Sequence, residues 1–148
     1  MKEFTPTKYK LQCVSTGHEF EDSGWLLDDK ESNKPSLIRA IYEKSQLDIK
    51  DDSFGLYKFA DWLPISRMLE GSSTPVTYRS KGLAEALGLE NLYITFNGYN
   101  PAIGANMSTC SFKETEAYSV CGRIDPKNNK ILVVASAGNT ARAFAQVC

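Results

Sequence analysis

The segment Met107-Ser-Thr-Cys-Ser-Phe-Lys113 places three hydroxyls, those of Ser108, Thr109 and Ser111, just ahead of a lysine at the start of a helical pattern. Small polar residues before a helix are the setting in which backbone N–H groups and the helix dipole hold an anion. Lys113 then has two readings. It is an ordinary solvent-facing helix residue, or it is an amine held partly out of water that forms a Schiff base with a carbonyl compound. The residues alone leave both open.

A second segment, Val134-Ala-Ser-Ala-Gly-Asn-Thr140, runs from an apolar stretch into a Ser/Gly/Asn loop and then a helix start. In open α/β sheets, ligands bind beyond the carboxyl ends of the strands, where such a loop would lie. The plainer reading is a capped connection with Asn139 or Thr140 as N-cap. Tyr93, Phe96, Tyr99, Phe112 and Tyr118 add aromatic surface nearby, and residues of this kind are expected in a core. Asp48, Asp51 and Asp52 form a short acidic run that reads as a solvated loop. The chain has one histidine, His18, and four cysteines at 13, 110, 121 and 148 with no CxxC pair. Neither a zinc ribbon, a metal site nor a Cys/His nucleophilic arrangement is indicated, and the cysteines are expected to be reduced thiols. No GxGxxG fingerprint occurs.

Elements must hold these residues in place. Short apolar stretches alternate with turn formers through the first thirty residues, from Tyr9 to Cys13 and on through Gly17, Phe20 and Gly24 to Trp25-Leu-Leu27, which predicts a β-meander. Leu37, Ile38, Ile41 and Tyr42 follow Pro35 at helical spacing and predict a short helix. Residues 57–68 predict a second one, interrupted at Pro64. The turn-rich Glu70-Gly-Ser-Ser-Thr-Pro75 marks a boundary between an N-terminal region, 1–69, and an α/β region, 70–148. There the pattern predicts a helix over 81–87 capped by Ser80 and closed by Gly88, and a strand over 92–96. A loop over 97–109 follows, then a helix over 111–120 with a Ser111/Glu114 capping box. The continuous apolar run over 130–135 predicts a strand buried on both faces, and a last helix spans 141–148. This alternation implies a parallel sheet with right-handed crossovers and helices on both faces. Two such strands are few for a complete sheet, and the last helix runs to Cys148 without a stop signal, so the chain is expected to be an N-terminal piece of something longer.

Composition narrows the function classes. The 148 residues are 42% hydrophobic and 24% charged, the balance of a globular chain with a core. The net charge of −1 offers no surplus for a nucleic-acid backbone. No apolar run approaches a bilayer span and the first residues, Met1 to Phe4, lack a signal-peptide core, so a cytoplasmic, membrane-free protein is expected.

Taken in order, Glu70-Gly-Ser-Ser-Thr-Pro-Val76, Ser111-Phe-Lys113 and Ala135-Ser-Ala-Gly-Asn-Thr140 resemble the threonine synthase family of pyridoxal-phosphate enzymes. That family has fold type II, the tryptophan synthase β-like group. Leu37-Ile-Arg-Ala-Ile-Tyr42 and Gly55-Leu-Tyr-Lys-Phe-Ala-Asp-Trp-Leu-Pro64 are similar to the segments that precede the first motif there, so the likeness covers nearly the whole chain. The resemblance implies pyridoxal 5′-phosphate as cofactor, Lys113 as the Schiff-base lysine and catalytic base, and Asn139 at the cofactor's 3′-oxygen. It also implies Ser136 and Thr140 at the substrate carboxylate and, for the complete protein, a homo-oligomer. The groups facing the pyridine nitrogen and the cofactor phosphate are expected outside these residues, so the piece alone is expected to be inactive.

Where the family usually reads Asn-Pro-Thr-Gly-Ser-Phe-Lys-Asp-Arg, this chain has Met107-Ser-Thr-Cys-Ser-Phe-Lys-Glu-Thr115. The zinc-like CxxC of some members is reduced to Cys13-Val-Ser-Thr16. The first departure suggests a different substrate and the second removes a zinc site; the chain resembles the branch of the family whose substrates are O-phosphoserine and sulfite, on the way to coenzyme M. O-phosphohomoserine with water is the alternative, and a noncatalytic α/β binding module is the alternative outside enzymes.

Overall fold

The computed structural model describes residues 7–24, 26, 28–127 and 129–148. Trp25 and Leu27, taken as part of the meander, and Met1 to Phe4 lie outside the described residues. The chain divides into two compact units, Met1–Glu70 with Ser119–Leu132, and Gly71–Tyr118 with Val133–Cys148.

The first unit is built on an antiparallel sheet of strands β1 (Tyr9–Cys13), β2 (Glu19–Phe20) and β3 (Ile38–Tyr42), in the order β2-β1-β3. Alternation in β1 buries Leu11 and Cys13 while Lys10 stays exposed. Gly17, at φ +76°, turns the chain so that the Cys13 N–H donates to the His18 carbonyl at 2.9 Å. The helix expected from Leu37 to Tyr42 is instead β3, paired with β1 from Tyr9↔Tyr42 to Cys13↔Ile38. Ile38, Ala40 and Tyr42 turn inward and Arg39 and Ile41 outward, a period of two that suits β-branched residues once a partner edge is offered.

Residues Gly55–Trp62 form a tight 3₁₀ segment with a break at Phe59, in place of the longer helix expected over 57–68. It buries Tyr57 and Ala60, and the Tyr57 hydroxyl accepts a bond from the Leu69 N–H at 3.0 Å. Two further ties close this unit. The Gly122 carbonyl accepts from the backbone of Ser66 and Arg67 and from the Ser66 hydroxyl at 2.9, 3.2 and 3.1 Å. Asp22 takes both Nε and Nη2 of Arg123 at 2.6 Å each, along with the Tyr9 hydroxyl and the Gly24 N–H.

The second unit opens with β4 (Val76–Arg79), α1 (Lys81–Ala86) and β5 (Tyr93–Phe96). Helix and strand stand where the pattern placed them, and Gly88, at φ +67°, ends the helix as expected. The Ser80 hydroxyl makes no capping bond; its carbonyl closes the first turn by accepting from Ala84 N–H at 3.1 Å. β4 and β5 pair antiparallel, Val76↔Phe96 through Arg79↔Tyr93. The expected loop over 97–109 contains a two-residue ladder of β6 (Tyr99–Asn100) with β7 (Ala105–Asn106). Helices α2 (Lys113–Arg123) and α3 (Asn139–Val147) complete the order.

The fold is thus α/β with short antiparallel sheets. The parallel sheet with right-handed crossovers is a correction: among the described residues every strand pair is antiparallel. The apolar run over 130–135 joins no sheet, and Ile131 and Val133 are 87% and 83% exposed. A strand is covered on both faces only where neighbouring strands supply its hydrogen bonds, and an apolar run cannot bring those neighbours with it.

Candidate functional site

Within the second unit the first and second motif segments meet, and the helix into which the third runs reaches the second. Burial alternates along residues 105–111 as they approach Lys113, with Ala105, Met107, Thr109 and Ser111 buried and Asn106, Ser108 and Cys110 exposed. Met107 N–H donates to the Gly98 carbonyl at 3.1 Å, and a turn follows in which Cys110 adopts φ +53°. A non-glycine residue in that left-handed region signals a tightly held loop.

The loop hydroxyls are largely spent on the loop itself. Thr109 Oγ1 donates to the Ser111 carbonyl at 3.4 Å, and Ser111 Oγ accepts from the Lys113 N–H at 3.3 Å, so Ser111 caps α2. The expected capping box does not close. Instead of returning to the Ser111 N–H, the Glu114 carboxylate accepts from Thr109 N–H at 2.8 Å, Ser108 Oγ at 3.4 Å and Ser73 Oγ at 3.1 Å. Glu114 is 1% exposed and ties the first motif to the second. Sequence reasoning gave it only a capping role. The available signal was its phase, since Ala117 and Tyr118, three and four residues on, lie on the buried face of α2.

Lys113 is the first residue of α2. Its Nζ is 2.8 Å from Glu116 Oε2, one turn on, and lies 5.1 Å from the centre of the Phe112 ring, itself exposed. The amine is half-exposed, so it is reachable, and the pair that holds it is the weak surface kind.

In the first motif Gly71 sits at φ +85°, and a Cβ there would stand 2.9 Å from the Tyr118 hydroxyl oxygen. Only glycine gives both that turn and that approach. Ser72 and Ser73 follow, both buried. In the third motif Gly138, not Asn139 or Thr140, is the N-cap of α3; its N–H donates to Ser136 Oγ at 3.3 Å. Asn139 and Ser136 are exposed and Thr140 is half-buried, while Ala143 and Phe144 bury the far side of the helix. Arg142 links α3 to the second motif, its Nη1 donating to the Thr109 carbonyl at 3.4 Å.

The unit therefore carries a primary amine on α2 and an amide and two hydroxyls around the start of α3, two helices linked by Arg142 and Thr109. That donor set fits a carbonyl-bearing anionic cofactor such as pyridoxal phosphate: the amine is accessible, and Ser136, Asn139 and Thr140 stand at or just before the start of α3, the first two exposed and Thr140 half-buried. Of the aromatic residues expected in a core, Tyr118 is buried and Phe96 half-buried, whereas Tyr93, Tyr99 and Phe112 are exposed. Away from this unit, His18 Nδ1 lies 3.1 Å from Asp29 and Nε2 lies 3.3 Å from Glu31. Asp48 pairs with Lys50, which with Lys44 also meets Asp61. No helix among the described residues is long and apolar enough to cross a membrane.

The chain is similar to curated proteins named cysteate synthase. It is 43% identical over 140 residues to that of Methanoculleus marisnigri, 42% over 138 residues to that of Methanosarcina mazei and 46% over 137 residues to that of Methanocella arvoryzae. These matches take in 93–95% of this chain and 31–32% of each relative, so the chain spans about a third of their length. No family model matches the chain, and no solved structure matches it.

Proposed function

We propose that this chain, which is homologous to the cysteate synthases across about a third of their length, carries the lysine-bearing part of a pyridoxal-phosphate enzyme. The reaction is replacement of the phosphate of O-phospho-L-serine by sulfite, giving L-cysteate and inorganic phosphate, a step toward coenzyme M. The fold type II assignment, the threonine synthase kinship and cytoplasmic location belong to the same reading. Its single strongest support is the tying of the first motif to the second, and of α3 to the second, in one unit with an accessible lysine at the head of α2.

In this reading Lys113 Nζ, released from Glu116 at a cost of about 0.5 kcal/mol for an exposed pair, would be the residue that holds the cofactor. When bound, pyridoxal phosphate withdraws electrons from the substrate α-carbon. Lys113 Nζ would also take the proton from the substrate α-carbon. The Asn139 side-chain amide donates to the cofactor's 3′-oxygen, and Ser136 and Thr140 hydroxyls with the α3 N-terminus hold the substrate carboxylate. The β-carbon would lose its C–O bond as phosphate departs with the electron pair, a C–S bond to sulfite would replace it, and Lys113 Nζ would return the proton to the α-carbon. Homo-oligomerisation of the complete protein is part of the proposal.

The deciding experiment supplies the full-length protein with pyridoxal phosphate, then phosphoserine plus sulfite in one vessel and phosphohomoserine in another. Cysteate with equimolar phosphate in the first supports the proposal. Threonine in the second with no cysteate in the first replaces it with a threonine synthase, and neither product leaves a binding module.

A further inference from the structure

Glu114 has no part in the chemistry proposed above, although it is the most deeply buried carboxylate among the described residues. Its two oxygens divide their work. Oε1 accepts from Ser73 Oγ at 3.1 Å, in the first motif, and Oε2 accepts from Thr109 N–H at 2.8 Å and Ser108 Oγ at 3.4 Å, in the second. Ser73 and Glu114 are 41 residues apart, so this one side chain fixes two loops that local sequence does not bring together. Glu114 also follows Lys113 directly, and the same Thr109 whose N–H it accepts gives its carbonyl to Arg142 of α3. A displaced Glu114 therefore frees Ser73, releases Thr109 and unsettles the first turn of the helix that presents the amine.

We infer that Glu114 is a positioning residue for Lys113, acting as a hydrogen-bonded staple between the 71–75 and 108–112 loops. The inference rests on the reading of Lys113 as the cofactor-binding lysine. The staple works by hydrogen-bond geometry, so glutamine is expected to replace it. The amide oxygen of a glutamine can face Thr109 N–H, which can only donate, and its NH₂ can face Ser73, whose hydroxyl turns to accept. Alanine offers neither contact.

The test uses full-length protein as wild type, Glu114→Gln and Glu114→Ala. Amide hydrogen exchange is followed without cofactor, and pyridoxal phosphate is then titrated with borohydride trapping and peptide mass analysis at Lys113. Loss of the staple is expected to speed exchange at Thr109 and through 72–74 by about tenfold in Glu114→Ala, the size of one to two lost hydrogen bonds. The cofactor concentration for half-labelling of Lys113 rises by a similar factor, and Glu114→Gln restores both. Unchanged exchange in Glu114→Ala overturns the staple. Faster exchange with unchanged labelling overturns its role in positioning Lys113, and a Glu114→Gln as impaired as Glu114→Ala overturns the geometric account. Should Glu114→Ala not fold, Ser73→Ala removes one donor and is read the same way through 72–74. Wild-type protein with no label on Lys113 refutes the cofactor reading and the positioning role with it, while the exchange data still report whether the two loops are stapled.

Discussion

Replacing Asp22 by asparagine removes the charged half of the best-formed ion pair in the first unit. Asp22 receives two guanidinium N–H groups of Arg123 at 2.6 Å each, the Tyr9 hydroxyl and the Gly24 N–H at 2.7 Å. An asparagine there keeps one acceptor oxygen, and on either side its NH₂ meets a guanidinium N–H of Arg123 that cannot accept. Breaking a fully buried pair costs about 3–5 kcal/mol. The side chain of Arg123 is 26% exposed against 6% for Asp22, so water recovers part of that loss, and about 2–3 kcal/mol is expected. With a urea slope of about 1.5–2 kcal/mol/M, the midpoint falls by about 1–2 M, read by far-UV circular dichroism at pH 7. The effect depends on pH with a definite sign. Burial alone would raise the Asp22 carboxyl, but Arg123, Tyr9 and Gly24 outweigh it and hold the group below the ordinary carboxylate range. Its stabilisation is then fully present above about pH 4, the unfolded value, and is lost as pH falls through the lower folded value. The gap between wild type and Asp22→Asn should stay constant from pH 5 to 8 and close in acid. A midpoint shift equivalent to less than about 0.5 kcal/mol, the size of a surface pair, or a gap undiminished at acid pH, would refute the reasoning.

Two further outcomes follow from single residues. Gly71→Ala must carry a side chain at φ +85° and push it against Tyr118, so it is expected to lose about 1–3 kcal/mol in chemical denaturation, with part recovered by adding Tyr118→Phe, which removes the clashing oxygen. Cys13 is surrounded by the hydroxyls of Ser15, Ser36 and Thr16, which bring its thiol down to about 6 against the opposing effect of burial. Its contribution to stability is present above the unfolded value of about 8.5 and lost as pH falls to the folded one, so wild-type stability should rise across that interval and Cys13→Ser should flatten the rise.

The sequence located elements where local signals and burial agreed. β1, α1 with its closing Gly88, β5, α2 and α3 stand within a few residues of their expected places. It failed where partners decide. Leu37 to Tyr42 carries apolar residues at a spacing compatible with either period, and pairing with β1 selected the strand. The run over 130–135 has the composition of a central strand, but composition encodes no neighbour, and it stands exposed. In the candidate site, Lys113 and the two loops were visible as motifs of small polar residues beside a helix start. Glu114 was visible only as half of a capping box, because its true partner Ser73 lies in another motif, and the contact follows from the tertiary structure.

Trapping the Lys113 amine tests the account most directly. Full-length protein incubated with pyridoxal phosphate, reduced with borohydride and digested should yield one pyridoxyl-bearing peptide, modified at Lys113. Lys113→Ala should lose that label while keeping its stability within about 0.5 kcal/mol, since only an exposed pair with Glu116 is removed. A folded wild-type protein that takes no label, or a Lys113→Ala protein labelled as fully as wild type, would contradict the assignment.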